Sequence, residues 1–171
     1  VQGHVALLDH PGRALLLLGV DPFADHLVRS FVAGPGEAGA AHLPALLTRP
    51  GTVLLSVPLA RALGVGEGDR LALRAAGLRV AVTVAGLLEP ADELARQTLE
   101  GVMVADVSTA QEVLGLVGRL SRIDLALGPD GPGDLERVRA LLPPGVSLGP
   151  AGSRATVLDQ MTRAFRLNLT M

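Results

Sequence analysis

Apolar residues along this chain fall into short runs of two alternating kinds, some with the period of a strand and some with the period of a helix. Residues 4–9 and 13–20, separated by His10-Pro11-Gly12, predict two strands joined by a tight turn. Asp21-Pro22 ends the second, because proline lacks the ladder N–H, and Phe23, Leu27, Val28 and Phe31 then recur at helical spacing. After the Gly/Pro connector at 34–39, residues 43–47 predict one or two helical turns before Pro50-Gly51. Thr52 to Leu55 predicts a strand. Ser56 is placed to cap a helix through Leu63, with Pro58 in its first turn and Gly64 as its stop.

Gly66-Glu67-Gly68-Asp69 makes a turn into the alternating stretch 70–74, and residues 78–88 form a longer strand, which suggests a small antiparallel or barrel-like lobe. Residues 102–105 predict a strand, with Ser108 and Gln111 as a capping box for the helix that follows. Strands over 123–127 and 146–148 flank a helix over 134–142, so this half reads β-α-β-α-β. From Ser153 onward helical spacing continues through Met161, Phe165 and Leu169 to the last residue without a breaker. The sequence shows no internal repeat.

A length of 171 residues fits one domain or two small intimate lobes. Although 49% of residues are hydrophobic, no apolar run approaches the ~20 residues of a membrane helix. Three Phe with neither Trp nor Tyr leave no stacking platform for bases or sugars. With a net charge of −2 and scattered arginines, a nucleic-acid partner is not expected. Lysine and cysteine are both absent, which removes the Walker lysine, thiolate nucleophiles and disulfides. The chain lacks an initiator Met and a signal peptide, as expected of a segment from a longer protein.

Candidate chemistry is sparse. His4, His10, His26 and His42 have no spacing that puts two metal ligands on one face, so no metal or cofactor is expected. Asp21, Asp25 and His26 could in principle assemble a carboxylate–imidazole pair, but no activated nucleophile stands beside them, and the favoured reading is Asp21 as a turn or cap residue on a solvated helix. The glycines of 64–69 follow a helix and precede a strand, the reverse of a phosphate loop, and read as a C-cap and a turn. Ser56, Ser108, Ser121 and Ser153 lie at element boundaries as caps, outside any nucleophile elbow. No catalytic residue is assigned. Leu87, Leu88, Leu94, Leu99, Val102 and Met103 suggest either ordinary core or an exposed apolar groove for a lipid or hydrophobic peptide.

Several segments, in order, resemble the extracytoplasmic domain of MacB/FtsX-like ABC-transporter permeases, the group that includes the lipoprotein-releasing LolC and LolE type. Leu18-Gly19-Val20-Asp21-Pro22 looks like the family's strand ending in a G-V-D-P turn, and residues 53–65 look like its strand and "la-x-x-Lgv" helix. Gly68-Asp69-Arg70-Leu71-Ala72-Leu73 matches the following G-D-x-hydrophobic strand; residues 84–88, 104–111 and 120–125 are similar to later segments. The end, 164–171, looks like the juxtamembrane helix entering the second membrane span.

This resemblance implies an α+β fold, the MacB-like periplasmic core domain. Residues 1–51 and 91–171 would form an α+β lobe, with an inserted small β-rich lobe at 52–90. It also implies a non-enzymatic domain outside the cell membrane. ATP would be hydrolysed by a separate cytoplasmic ATPase, the permease would pair with a second copy, and a lipid, lipoprotein or peptide could be substrate. Met161, Phe165 and Leu169 would lie on the helix coupling the domain to the membrane. The competing readings are a stand-alone binding module for a lipid or hydrophobic peptide, and, last, a hydrolase built on Asp21, Asp25 and His26.

Overall fold

The computed structural model of the chain describes residues 1–21, 44–90, 93–123, 125, 127 and 131–149. They belong to two compact units, Val1–Arg122 and Ile123–Met171. The predicted helix after Pro22, Asp25 and His26, and the long C-terminal helix with Met161, Phe165 and Leu169 lie outside the described residues. The fold is α+β.

In the first unit, β1 (Gln2–Leu7), β2 (Ala14–Val20), β3 (Thr52–Ser56), β4 (Arg70–Ala75), β5 (Leu78–Leu88) and β6 (Val102–Asp106) close into a barrel. Around it the order is β1-β2-β6-β3-β5-β4. Strands on both sides of residues 52–90 therefore belong to one sheet. Three helices join it: α1 (Val57–Leu63), α2 (Glu93–Leu99) and α3 (Val107–Leu114). Residues 44–48 add a helical turn.

The topology repeats itself, although no repeat was expected from the sequence. A hairpin (β1-β2), a strand (β3) and a helix (α1) are followed by a second hairpin (β4-β5), strand (β6) and helix (α3). The pairings obey the same two-fold rule. Each hairpin is antiparallel, β2 runs parallel to β6 as β5 does to β3, and β1–β4 and β3–β6 are the two antiparallel seams. Matching hydrogen bonds recur, Leu16 N–H to Gly101 C=O at 2.8 Å and Thr83 N–H to Gly51 C=O at 2.9 Å. Gly51 and Gly101 share a φ of +70°, and Gly64 and Gly115 both end their helices in the left-handed region that suits glycine.

Alternation sends Val5, Leu15, Leu17, Leu55, Leu73 and Met103 into the barrel, where α1 and α3 close the main core. On the outer face Leu54, Val104, Leu88 and Val20 form a second cluster with Leu46 of the helical turn and Leu99 of α2. Hence β3 is buried along its whole length. Its register against β5 steps between Val53 and Leu54, leaving Ala85 as a bulge, and such extra residues add the twist that closure requires.

Among the described residues the groove suggested by Leu87, Leu88, Leu99, Val102 and Met103 does not form, and the side chain of Leu94 lies outside them. Leu88, Leu99 and Met103 are buried in the two clusters, and Leu87 and Val102 pack against them. Consecutive apolar residues here face opposite sides of a sheet that is covered on both.

In the second unit the predicted helix is present as α4 (Gly131–Leu141), with Arg137–Asp134 and Arg139–Glu136 pairs along its surface. The strands expected over 123–127 and 146–148 do not form among the described residues, and Ile123, Leu125, Leu127 and Val146 are exposed. Strand periodicity is present there, but a strand exists only where a neighbour completes its ladder.

Candidate functional site

The helix starts hold most of the polar chemistry. Ser56 caps α1 as expected, its Oγ accepting from Leu59 N–H at 3.3 Å. At α3 the cap is Asp106, not Ser108. The Asp106 carboxylate at the end of β6 accepts from the N–H groups of Ser108 and Thr109 at 2.8 and 3.0 Å, and also from the Ser108 hydroxyl. Ser108 is thus already in the first turn. Gln111, expected to complete a capping box, instead donates to Arg119 C=O at 2.7 Å.

Asp106, Ser108, Thr109 and Glu112 line a shallow cleft with residues 46–50. Gly51 N–H donates to Thr109 Oγ1 at 3.2 Å, tying the two sides together. The cleft contains two carboxylates, Asp106 and Glu112, and hydroxyls, but no histidine among the described residues that line it to activate one, and the bonds to Asp106 serve the helix start. Among the described residues no group of three or more His, Asp or Glu could hold a metal ion. Ser121 receives a 3.2 Å bond from Gln2 N–H, Gly66 N–H donates to Asp69 at 2.8 Å, and Gly64–Asp69 is the anticipated C-cap and turn.

Partial burial alone would raise the Asp106 pKa, but the bonds from Ser108 and Thr109 outweigh it and hold the carboxyl below its ordinary value. A depressed folded-state pKa gives stability that is complete above the unfolded value of about 3.9 and is lost as pH falls through the folded one. Asp106→Ala is expected to cost about 1 kcal/mol at pH near 7, with the difference from wild type shrinking once pH falls below about 3.9. Urea unfolding of both proteins at the two pH values checks this.

A second feature is apolar. Leu78, Val117 and Leu120 are 65%, 72% and 58% exposed. They gather at the barrel end where the Ala76-Gly77 hairpin turn meets the end of α3, since a methyl at Gly115 would lie 3.9 Å from the Ala76 Cβ. Continued by one residue, the β1–β4 register sets Val5 level with Ala75, which pairs with Leu78 across the hairpin, so Gln2 at the start of β1 lies beyond that level toward the same end. The Gln2–Ser121 bond then places the Leu120 segment at the same end.

No family model matches the chain. Over 170 residues, 99% of this chain, it is 39% identical to an uncharacterised ABC transporter permease protein of Mycobacterium tuberculosis. The chain is a domain of an ABC transporter permease. This permease domain spans 19% of its relative's length. Among its described residues no helix is long and apolar enough to cross a membrane.

Proposed function

We infer that this permease domain is the extracytoplasmic, MacB-like domain of its transporter, and that it transmits motion and catalyses nothing. The observation carrying the reading is the similarity of 99% of this chain to a segment of an ABC transporter permease. The capped and closed barrel supports it, since a stiff body moves as a unit when its attachment moves. ATP hydrolysis belongs to a separate cytoplasmic ATPase, and the permease works as a pair. The segment bearing Met161, Phe165 and Leu169 is the coupling helix into the membrane, through which closure of the ATPases displaces the domain.

Absence of cysteine makes the side of the membrane directly testable. Glu112→Cys, at an exposed position, is placed in the whole permease after other cysteines are replaced, and intact cells are treated with a membrane-impermeant maleimide. Labelling of intact cells is expected; labelling only after permeabilisation overturns the extracytoplasmic reading. Phe165→Pro, which interrupts helical hydrogen bonding, is expected to keep ATP hydrolysis while abolishing the permease-dependent cellular phenotype. An unchanged phenotype refutes the coupling role.

A further inference from the structure

The two-fold repeat supplies an internal comparison. At one barrel end the β1-β2 turn sits beside the end of α1, joined by Arg13 Nη1 to Ala62 C=O at 3.4 Å. Its surface is polar and of mixed charge, with Asp9, His10, Arg13, Glu67 and Asp69. At the equivalent place in the other half, the β4-β5 turn sits beside the end of α3 and presents Leu78, Val117 and Leu120. The same backbone framework is built both ways, so exposed apolar side chains are not a requirement of the barrel. They carry an unrecovered solvation cost.

The charge around them is also one-sided. Residues 74–88 contain Arg74 and Arg79 and no acid, and residues 113–123 contain Arg119 and Arg122 and no acid, with Glu112 one helical turn before Gly115, in a chain whose net charge is −2. Arg74 and Arg79 are exposed and face each other directly across β4 and β5. Like charges directly opposed on neighbouring strands destabilise a sheet unless an anion lies between or over them. Methyl groups built at Gly77 or Gly118 would meet nothing within 4 Å, so both turns project into open space. An apolar tip that projects, rimmed by arginines, fits an interface into which it inserts; a groove would instead receive a helix.

We propose that this end of the barrel docks on the surface of a bilayer containing anionic phospholipid, with Leu78, Val117 and Leu120 among the headgroups and Arg74, Arg79 and Arg119 on their phosphates. The proposal rests on the chain being a permease domain, which keeps a bilayer within reach, and not on the coupling role. Charge complementarity selects the occupant. Each arginine near an anionic surface and each inserted aliphatic side chain adds to binding, and the charged part is screened by salt.

The test is flotation of the full 171-residue chain with phosphatidylcholine vesicles, either alone or with about a third phosphatidylglycerol. Binding is expected on the anionic vesicles only, and is expected to fall as salt rises. Arg79→Glu with Arg119→Glu should weaken it about tenfold or more, and Leu78→Ser with Val117→Ser and Leu120→Ser should weaken it comparably. Arg79→Glu by itself puts a carboxylate opposite Arg74 and should raise the melting temperature while lowering binding, so lost binding cannot be ascribed to misfolding. His10→Ser, at the equivalent polar end, should bind as wild type. Failure to bind anionic vesicles at low salt overturns the proposal, as does binding indifferent to the arginine and leucine substitutions. A dimer in sedimentation that the same substitutions dissociate would overturn it too, by giving the face to a second copy.

Discussion

Gly19→Ala is expected to destabilise the barrel by ~3 kcal/mol, a loss of roughly 10 °C in melting temperature. Gly19 lies in β2 at the point where α3 crosses it, paired with Ala105 of β6. A methyl there would overlap the Ala110 methyl and stand 3.3 Å from Asp106 C=O and 3.4 Å from Val1 C=O. None of these can swing aside. Ala110 is a fully buried residue of α3, Asp106 anchors that helix, and Val1 C=O accepts from Gly19 N–H at 2.7 Å. The only relief is withdrawal of α3 from the sheet, which would unpack Val113 and Leu114 from the main core. Gly3→Ala provides the contrast, because its nearest neighbour is the Leu114 Cδ2 at 2.8 Å, the movable end of a side chain, and a cost below half that of Gly19→Ala is expected.

The cause can be isolated. Ala110→Gly by itself should cost about 1 kcal/mol in helix propensity, yet in the presence of Gly19→Ala it should restore most of the lost stability. Thermal unfolding of the four proteins measures the coupling. Additive effects would mean that backbone freedom at Gly19, and not the approach of α3, sets its requirement.

Most elements of the barrel were legible because their signals are local. Alternation marked β4, the His10-Pro11-Gly12 turn marked the β1-β2 hairpin, a long apolar run marked β5, and Ser56, Pro58 and Gly64 bounded α1 with the side chains that helix ends need. Closure was not legible, because the partners that close the barrel are remote in sequence; β2 finds β6 and β1 finds β4 with no local mark of either choice. The repeat was hidden for a related reason. Its halves share backbone requirements, such as Gly51 with Gly101 and Gly64 with Gly115, while the side chains between them differ and α3 is one residue longer than α1.

Two misreadings have physical causes of the same kind. Ser108 with Gln111 matched a capping box, but β6 runs through Asp106, one residue past the predicted 102–105, and the chain turns there, so Asp106 takes the cap. The apolar pairs Leu87-Leu88 and Val102-Met103 suggested an open groove because a sheet covered on both faces leaves no polar side in its strands. The apolar end was overlooked for the opposite reason. Leu78 looks like the first residue of an ordinary strand, and its exposure follows from the turn at Ala76-Gly77 placing it at the barrel mouth. The lack of acids in 74–88 and 113–123 was a visible signal, but only the fold brings those two stretches together.

The seam between the halves makes the second large effect. β3 and β6 pair at Leu54 with Val104 and Leu55 with Met103, so one cross-strand pair lies in each cluster. Leu55 and Met103 are fully buried inside the barrel, and β3 is held by β5 on one side and β6 on the other. Leu55→Ala should therefore cost about 3 kcal/mol, because the enclosing strands cannot collapse onto the vacated volume without breaking closure. Met103→Ala should cost about 2–3 kcal/mol, somewhat less because flexible neighbours adapt better around the space left by an unbranched side chain. The double variant should lose less than the sum, since the two cavities merge and the first substitution already removes contacts that the second would have lost. Denaturant unfolding of the single and double variants decides between this and independent sites: strict additivity would show that Leu55 and Met103 do not share one packed volume, and that the halves are joined chiefly by their backbone ladder.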